Sequence, residues 1–222
     1  MAVCEHCGKA KGTRKCPALR GPICSRCCGE HRGIELDCPA SCPYYQKNER
    51  YQRERLGPQF RKEWFAANAR LYDEERERLL NYIMFLELLL YRYYRERTKG
   101  TDREVLEGLE FVRERLGPIL LVEGTVQPGL GQHLLAEIES YLQEGHLSRE
   151  EALEGAEATI SFLKDFSGDE NPRRYLQGLM GHVEQDFNLP EEEEALPHSG
   201  LIITPDQLRE ELNRQPRSRG GP

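Results

Sequence analysis

From residue 59 onward the chain repeats apolar residues at helical spacing, and before residue 44 it scarcely repeats them at all. Residues 59–97 carry a long helical pattern free of proline and glycine, apolar on most faces between Leu79 and Tyr94. A helix that is apolar all round belongs at the centre of a bundle or at an interface. Lys99-Gly100 ends this pattern. Three Ser/Thr-x-x-Glu/Gln capping boxes then announce later helices: Thr101 with Glu104, Ser148 with Glu151, and Thr204 with Gln207. A turn is expected over Gln127–Gly131, an amphipathic helix over His133–Glu144, and a further helix from Asn171-Pro172 to about Phe187, with Pro172 in the first turn. The pattern predicts a mainly α protein of five or six helices, with a helical bundle over 59–189. Small hairpins are expected only in the cysteine-rich N-terminus.

The flanks follow from composition. Residues 44–56 (YYQKNERYQRERL) read as a connecting helix, and Gly57-Pro58 as the break that closes a 44–58 connector. Residues 190–198 form an acidic linker with four consecutive glutamates. Residues 199–214, with Leu201-Ile202-Ile203 and a short helix from Pro205, read as a docking segment, and 215–222 as a disordered tail.

Charge divides the chain. The whole is acidic, at −7, yet residues 1–56 hold eleven Lys/Arg against six Asp/Glu, leaving the rest strongly negative. The most apolar run, Tyr82–Tyr94, is interrupted by Glu87 and Arg92 and is too short to span a bilayer. No signal peptide is read at the start, so a reducing cytoplasm is expected, where paired cysteines serve as metal ligands more often than as disulfides.

All eight cysteines fall within residues 4–42: Cys4-x2-Cys7, Cys16, Cys24-x2-Cys27-Cys28 and Cys38-x3-Cys42. A stretch with so many thiols and so few apolar residues needs an external crosslink, and a divalent ion held by four thiolates supplies one. Eight thiols suffice for two zinc ions and a 1–43 zinc-binding module. The interleaved assignment joins Cys4, Cys7, Cys24 and Cys27 at one ion and Cys16, Cys28, Cys38 and Cys42 at the other. In a shifted frame Cys28 completes the first site, and Cys27 or His31 enters the second. His6, between two ligands, is expected to point elsewhere. An iron–sulfur cluster is disfavoured because its ligands come in tighter runs. A closed four-ligand site is structural rather than catalytic.

The opening C-x2-C, the lone Cys16-Pro17, and Ile23-Cys24-Ser25 leading through Cys28 to His31 resemble cross-brace zinc fingers of the HIT and B-box kind. The resemblance covers residues 4–42. It departs where Cys16 lacks a partner in a second C-x2-C and the run ends in Cys38-x3-Cys42. The run is also similar to that of bacterial zinc-binding proteins to which no activity is attached.

Lys9, Lys11, Arg14, Lys15, Arg20, Arg26 and Arg32, interleaved with Tyr44, Tyr45 and Tyr51, offer the residue types of a phosphate-and-base surface. Two zinc–tetrathiolate centres would, however, add about −4 to the module, nearly cancelling its basic excess. An enzyme would need a site in the bundle, where His133/Glu137, His146/Glu150 and His182/Asp186 are spaced to share helix faces. No phosphate loop, nucleophile elbow or di-iron Glu-x-x-His motif accompanies them, and no catalytic residue is assigned. The sequence is therefore read as a non-enzymatic adaptor or regulator with a protein partner. Nucleic-acid binding is the alternative and catalysis in the bundle a second one. No membrane contact is expected. The aromatic run of the 79–94 helix is read first as core and second as a contact between copies.

Overall fold

The computed structural model describes residues 2–74, 76–117 and 129–186. The acidic linker, the docking segment, the tail and the Thr204 capping box lie outside them. Among the described residues a two-stranded hairpin, β1 (Arg14–Cys16) with β2 (Gly21–Ile23), is followed by seven helices: α1 (Ser25–His31), α2 (Pro43–Asp73), α3 (Glu77–Tyr94), α4 (Asp102–Leu116), α5 (Gly129–Gln143), α6 (Arg149–Phe166) and α7 (Arg174–Asp186). The antiparallel register pairs Arg14 with Ile23 and Cys16 with Gly21. The mainly α fold and the confinement of strands to the cysteine-rich segment are as the sequence predicts.

Three boundaries differ. The break expected at Gly57-Pro58 is absent, because α2 runs through both residues. Pro58 gives up one helical hydrogen bond, a cost of about 3 kcal/mol in isolation. Gly57 stays helical because α7 crosses there. A Cβ on Gly57 would lie 2.7 Å from the carbonyl carbon of Gly181, and one on Gly181 would lie 2.2 Å from the Arg53 carbonyl oxygen. Glycine here marks closest approach of two helices, not a chain reversal.

The second difference is that residues 59–97 form two helices. One helix of that length would extend about 58 Å at 1.5 Å per residue, far beyond the core it must cover. The chain instead turns after Asp73, where the Arg76 amide donates to the Leu71 carbonyl. The Arg76 guanidinium then grips both carboxylate oxygens of Glu154 on α6, at 2.5 and 2.7 Å. Third, Gly129 and Gly131 belong to α5 rather than to a turn. Gly131 is buried where α4 approaches, with Phe111 so close that a Cβ would meet its ring.

Helix α3 is the central element. Leu79, Leu80, Tyr82, Ile83, Leu86, Leu89, Leu90 and Tyr94 are buried, and Phe85, Tyr91 and Tyr93 lean against the same core. Its apolar faces are therefore covered within the single chain. Phe60 of α2 sits beneath it, edge-on to Phe162, Phe166 and Tyr175 at 5.0, 5.2 and 5.4 Å. Ser148 and Glu151 form the reciprocal capping box of α6, and Thr101 caps α4 by accepting the Glu104 amide. Asp102, the residue after that cap, also caps a different helix: its carboxylate accepts the Tyr175 and Leu176 amides of α7 at 2.8 and 3.1 Å.

A buried polar cluster ties the N-terminal module to the bundle. Arg173, just before α7, donates to the carbonyls of Gly33 (2.5 Å) and Thr98 (2.9 Å), to Tyr45 Oη (3.4 Å) and to Glu49 Oε2 (3.3 Å). Gln177 donates to the other Glu49 oxygen at 2.8 Å. A buried ion pair with this many partners holds one geometry, although Arg173 Nε itself has none among the described residues, and it is costly if either member is removed. The seam thus fixes the cysteine-rich loops against α2 and α7.

Candidate metal centre

The first ligand pair sits on a tight turn. The Cys4 amide donates to the Ala10 carbonyl and the Gly8 amide to the Cys4 carbonyl, both at 2.8 Å. Gly8 takes φ +63°, a left-handed conformation that costs a residue without Cβ little. The turn aims backbone N–H groups at sulfur. Cys4 Sγ receives those of Cys7, Cys24 and His6, and Cys7 Sγ those of Ala10 and Lys9. The second pair comes from a helix start: Cys24 caps α1, its Sγ accepting the Cys27 amide at 3.4 Å. The hairpin between them carries the chain past Cys16 and returns it beside Cys4. One ligand atom from each of Cys4, Cys7, Cys24 and Cys27 then lies within 4.8 Å of the others.

The thiols of this tetrad by themselves ionise unequally. Burial pushes the Cys4 thiol up, but the N–H donors of Cys7, Cys24 and His6 outweigh it and bring it down to about 6. Cys7 is lowered by the Ala10 and Lys9 amides. Cys27 is pushed up to about 12, first by its hydrogen bond to Cys24 and then by burial. Clustered sulfurs share out negative charge this way because neighbouring thiolates repel. A divalent ion removes the conflict by making all four thiolates ligands at about 2.3 Å, and the N–H groups already aimed at sulfur are the outer shell such a site uses. The residues present fit a closed metal site with four sulfur ligands.

The other four cysteines are gathered less tightly. Cys16, Cys28, Cys38 and Cys42 are all buried in one cluster with Ile23, Leu36 and Tyr45. The Cys38 thiol is raised by its burial, with charge on Cys42, Cys16 and Cys28 adding to the effect. They neighbour one another without meeting the 4.8 Å spacing of the first tetrad. Cys27 stands with Cys4, Cys7 and Cys24, as in the interleaved assignment. His31 lies beside His6 and Cys27. His6, expected to point elsewhere, is thus part of a cluster, and the spacing that reveals it is His31 four residues after Cys27 on α1.

The bundle's three His/acid pairs behave differently from one another. His182 Nδ1 and Asp186 Oδ2 are 2.6 Å apart, with Phe60 stacked on the imidazole at 5.6 Å. His146 meets Glu144 rather than Glu150, and His133 leans on Tyr93. The His182–Asp186 pair lies within α7 and the His146–Glu144 pair just beyond α5, whereas the ring contacts of His182 with Phe60 and of His133 with Tyr93 join neighbouring helices. Sequence reasoning missed Arg173 and Glu49, since nothing local marks either as buried. No helix among the described residues is long and apolar enough to cross a membrane. Comparison with known protein families, curated proteins and solved structures finds no match. The cluster of Cys4, Cys7, Cys24 and Cys27 is compatible with a zinc-binding module.

Proposed function

We propose that this chain is a non-enzymatic, zinc-stabilised interaction protein, in which two zinc ions hold residues 1–43 in shape and that module, with the first half of α2, meets a protein partner. The observation that carries the reading is the closed tetrad of Cys4, Cys7, Cys24 and Cys27. Four protein ligands leave no open position for substrate, so the ion's role is to shape loops. The second ion is assigned to Cys16, Cys28, Cys38 and Cys42, on their shared burial and mutual influence. The placing of the partner surface is supported by exposure. Among the described residues the large apolar side chains left exposed are Val3, Tyr44 and Tyr51, all on the module or its exit helix. Tyr44 and Tyr51 are seven residues apart and share a face of α2.

One observation favours nucleic acid as a second reading: the Arg14 guanidinium lies 4.7 Å over the Tyr44 ring, among exposed Lys11, Lys15 and Lys47. Elemental analysis of protein purified without added metal tests the zinc reading, with two zinc ions per chain expected. One ion, or iron with visible absorbance, would count against it. Affinity purification of the intact chain from its own cells, with and without nuclease, separates the partners. Proteins that survive nuclease support the interaction role, and co-purified RNA or DNA the second reading.

A further inference from the structure

Four thiolates around one divalent ion leave a net charge of about −2, and the outer side of the first tetrad faces two imidazoles. One ligand atom from His6, one from His31 and Cys27 Sγ all lie within 4.8 Å of one another. The two rings stack with centroids 4.2 Å apart and planes 29° apart. Both positions are set by the tetrad's own scaffold. His6 lies inside the Cys4–Cys7 turn, and His31 is four residues beyond Cys27 on α1, the spacing that puts two side chains on one helix face.

A carboxylate completes the group. Glu35 Oε2 is 2.9 Å from His31 Nδ1 and 3.7 Å from His6 Nε2. Metal-binding histidines are held this way, one ring nitrogen turned to a carboxylate and the other left with a lone pair for the cation. Glu35 engages His31 Nδ1 directly and stands near His6 Nε2, while Glu30 Oε2 lies 4.0 Å from His31 Nε2, so two carboxylates surround the imidazole pair and add negative charge for a cation to meet. A thiolate sulfur has lone pairs enough to serve two ions. The imidazole side chains are about one-quarter exposed, at 26% and 25%, which gives an ion a way in and leaves room for water on it.

We propose that His6, His31 and the shared Cys27 thiolate form a further cation site, for a borderline divalent ion of the zinc class, joined through sulfur to the ion of the tetrad. Its charge cancels the residual −2 of the tetrathiolate unit. Two imidazoles and half a share in one sulfur bind more weakly than four thiolates, so this ion enters last and leaves first. It is the exchangeable ion of the module. The inference rests on the tetrad holding zinc.

The test uses the full chain, dialysed against buffers of rising free zinc with bound zinc counted by elemental analysis, beside a His6→Ala/His31→Ala variant. Alanine keeps the residue-6 amide that donates to Cys4 Sγ, so the tetrad's own shell is retained. The wild type is expected to bind one ion more per chain than the variant, and that ion last. With cadmium in place of zinc, the wild type should show one cadmium-113 resonance that the variant lacks, coupled through the bridging thiolate to a tetrad resonance. Equal metal content in the two proteins, with the tetrad filled in both, overturns this site alone. Wild-type protein that binds no zinc overturns the tetrad and the site built on it together.

Discussion

The N-terminal module and the helical bundle both bury an interior, but with different materials. Among the described residues, the module's buried cluster is sulfur from seven cysteines with Ile23, Leu36 and Tyr45. The bundle's holds leucines, aromatics and valines from six helices, without a cysteine. Apolar burial is worth roughly 25 cal/mol per Å² and needs many side chains to accumulate. The module lacks them, so on the proposed reading its stability comes from metal–ligand bonds. The difference teaches where each part is vulnerable: the module to anything that competes for thiolates, the bundle to changes of volume and buried charge.

Removing metal should therefore give the largest effect and the most uneven one. Structural zinc contributes on the order of 10–16 kcal/mol in small modules. A strong chelator, or Cys4→Ser, is expected to abolish the dispersed amide NMR signals of residues 2–42 while most helical circular dichroism persists. The bundle's melting temperature should fall as well, since Gly33 and Tyr45 are partners of Arg173. A bundle whose melting is indifferent to chelation would show the two regions to be energetically separate.

That seam is the next point at which the contrast can be broken. Arg173→Met leaves Glu49 buried with the Gln177 amide and, 3.9 Å away, the Arg53 guanidinium as its remaining partners. Stranding one member of a buried pair costs about 3–5 kcal/mol. Urea unfolding should show that loss, and the double change Arg173→Met/Glu49→Leu should recover much of it. Additive losses in the double variant would mean the pair is not coupled.

Gly181→Ala tests the helix crossing. The added methyl would stand 2.2 Å from the Arg53 carbonyl oxygen, so α2 and α7 must separate. Overpacking of this kind costs about 1–3 kcal/mol, read as a lower urea midpoint with zinc content unchanged.

These contacts explain what the sequence did and did not disclose. Periodicity reports which face of a helix is apolar, so the helical character of 59–97 and of α5 was legible, and capping boxes placed the starts of α4 and α6. Gly57-Pro58 misled because local propensity favours a break, and only the distant Gly181 shows why the helix continues. Residues 59–97 misled in the opposite sense, since nothing local interrupts the pattern at Asp73. At the metal centre, spacing located the tetrad because both C-x2-C pairs are local. The environment of Arg173 was illegible because Gly33 and Thr98 accept through backbone carbonyls, which carry no side-chain signature.

Within the bundle Glu87 is the smaller flaw. It is buried in the middle of α3, and burial raises its carboxyl well above the usual glutamate range, with Trp64 pulling weakly the other way. Asp102 is likewise pushed up to about 6 by burial, against the amides and hydroxyl it accepts. An acid whose folded-state pKa is raised keeps its proton where the unfolded chain has released it. The contribution of Glu87 and Asp102 to stability is then greatest below the ordinary carboxylate range and falls as pH rises, for Asp102 between about 4 and 6 and for Glu87 from the ordinary glutamate range upward. Glu87→Leu should stabilise the protein at neutral pH by about 1–3 kcal/mol and flatten that fall, as followed by thermal melts across pH. A steeper fall in the variant would reverse the sign of the argument.

The smallest effect on stability should accompany the largest effect on binding. Tyr51 is 60% exposed on α2, and it belongs to neither buried cluster. Tyr51→Ala should therefore shift the urea midpoint by less than about 0.5 kcal/mol and leave the zinc content as it is. Exposed tyrosines are among the side chains on which interfaces concentrate their energy, often about 2 kcal/mol or more each, so captured partner should fall at least tenfold. The comparison is sharpened by Glu54→Ala, one turn away and exposed on the same helix, which should change neither quantity much. Loss of binding in both variants would indicate a diffuse charge effect of α2. Retained binding in Tyr51→Ala would remove this face of the helix from the proposed contact.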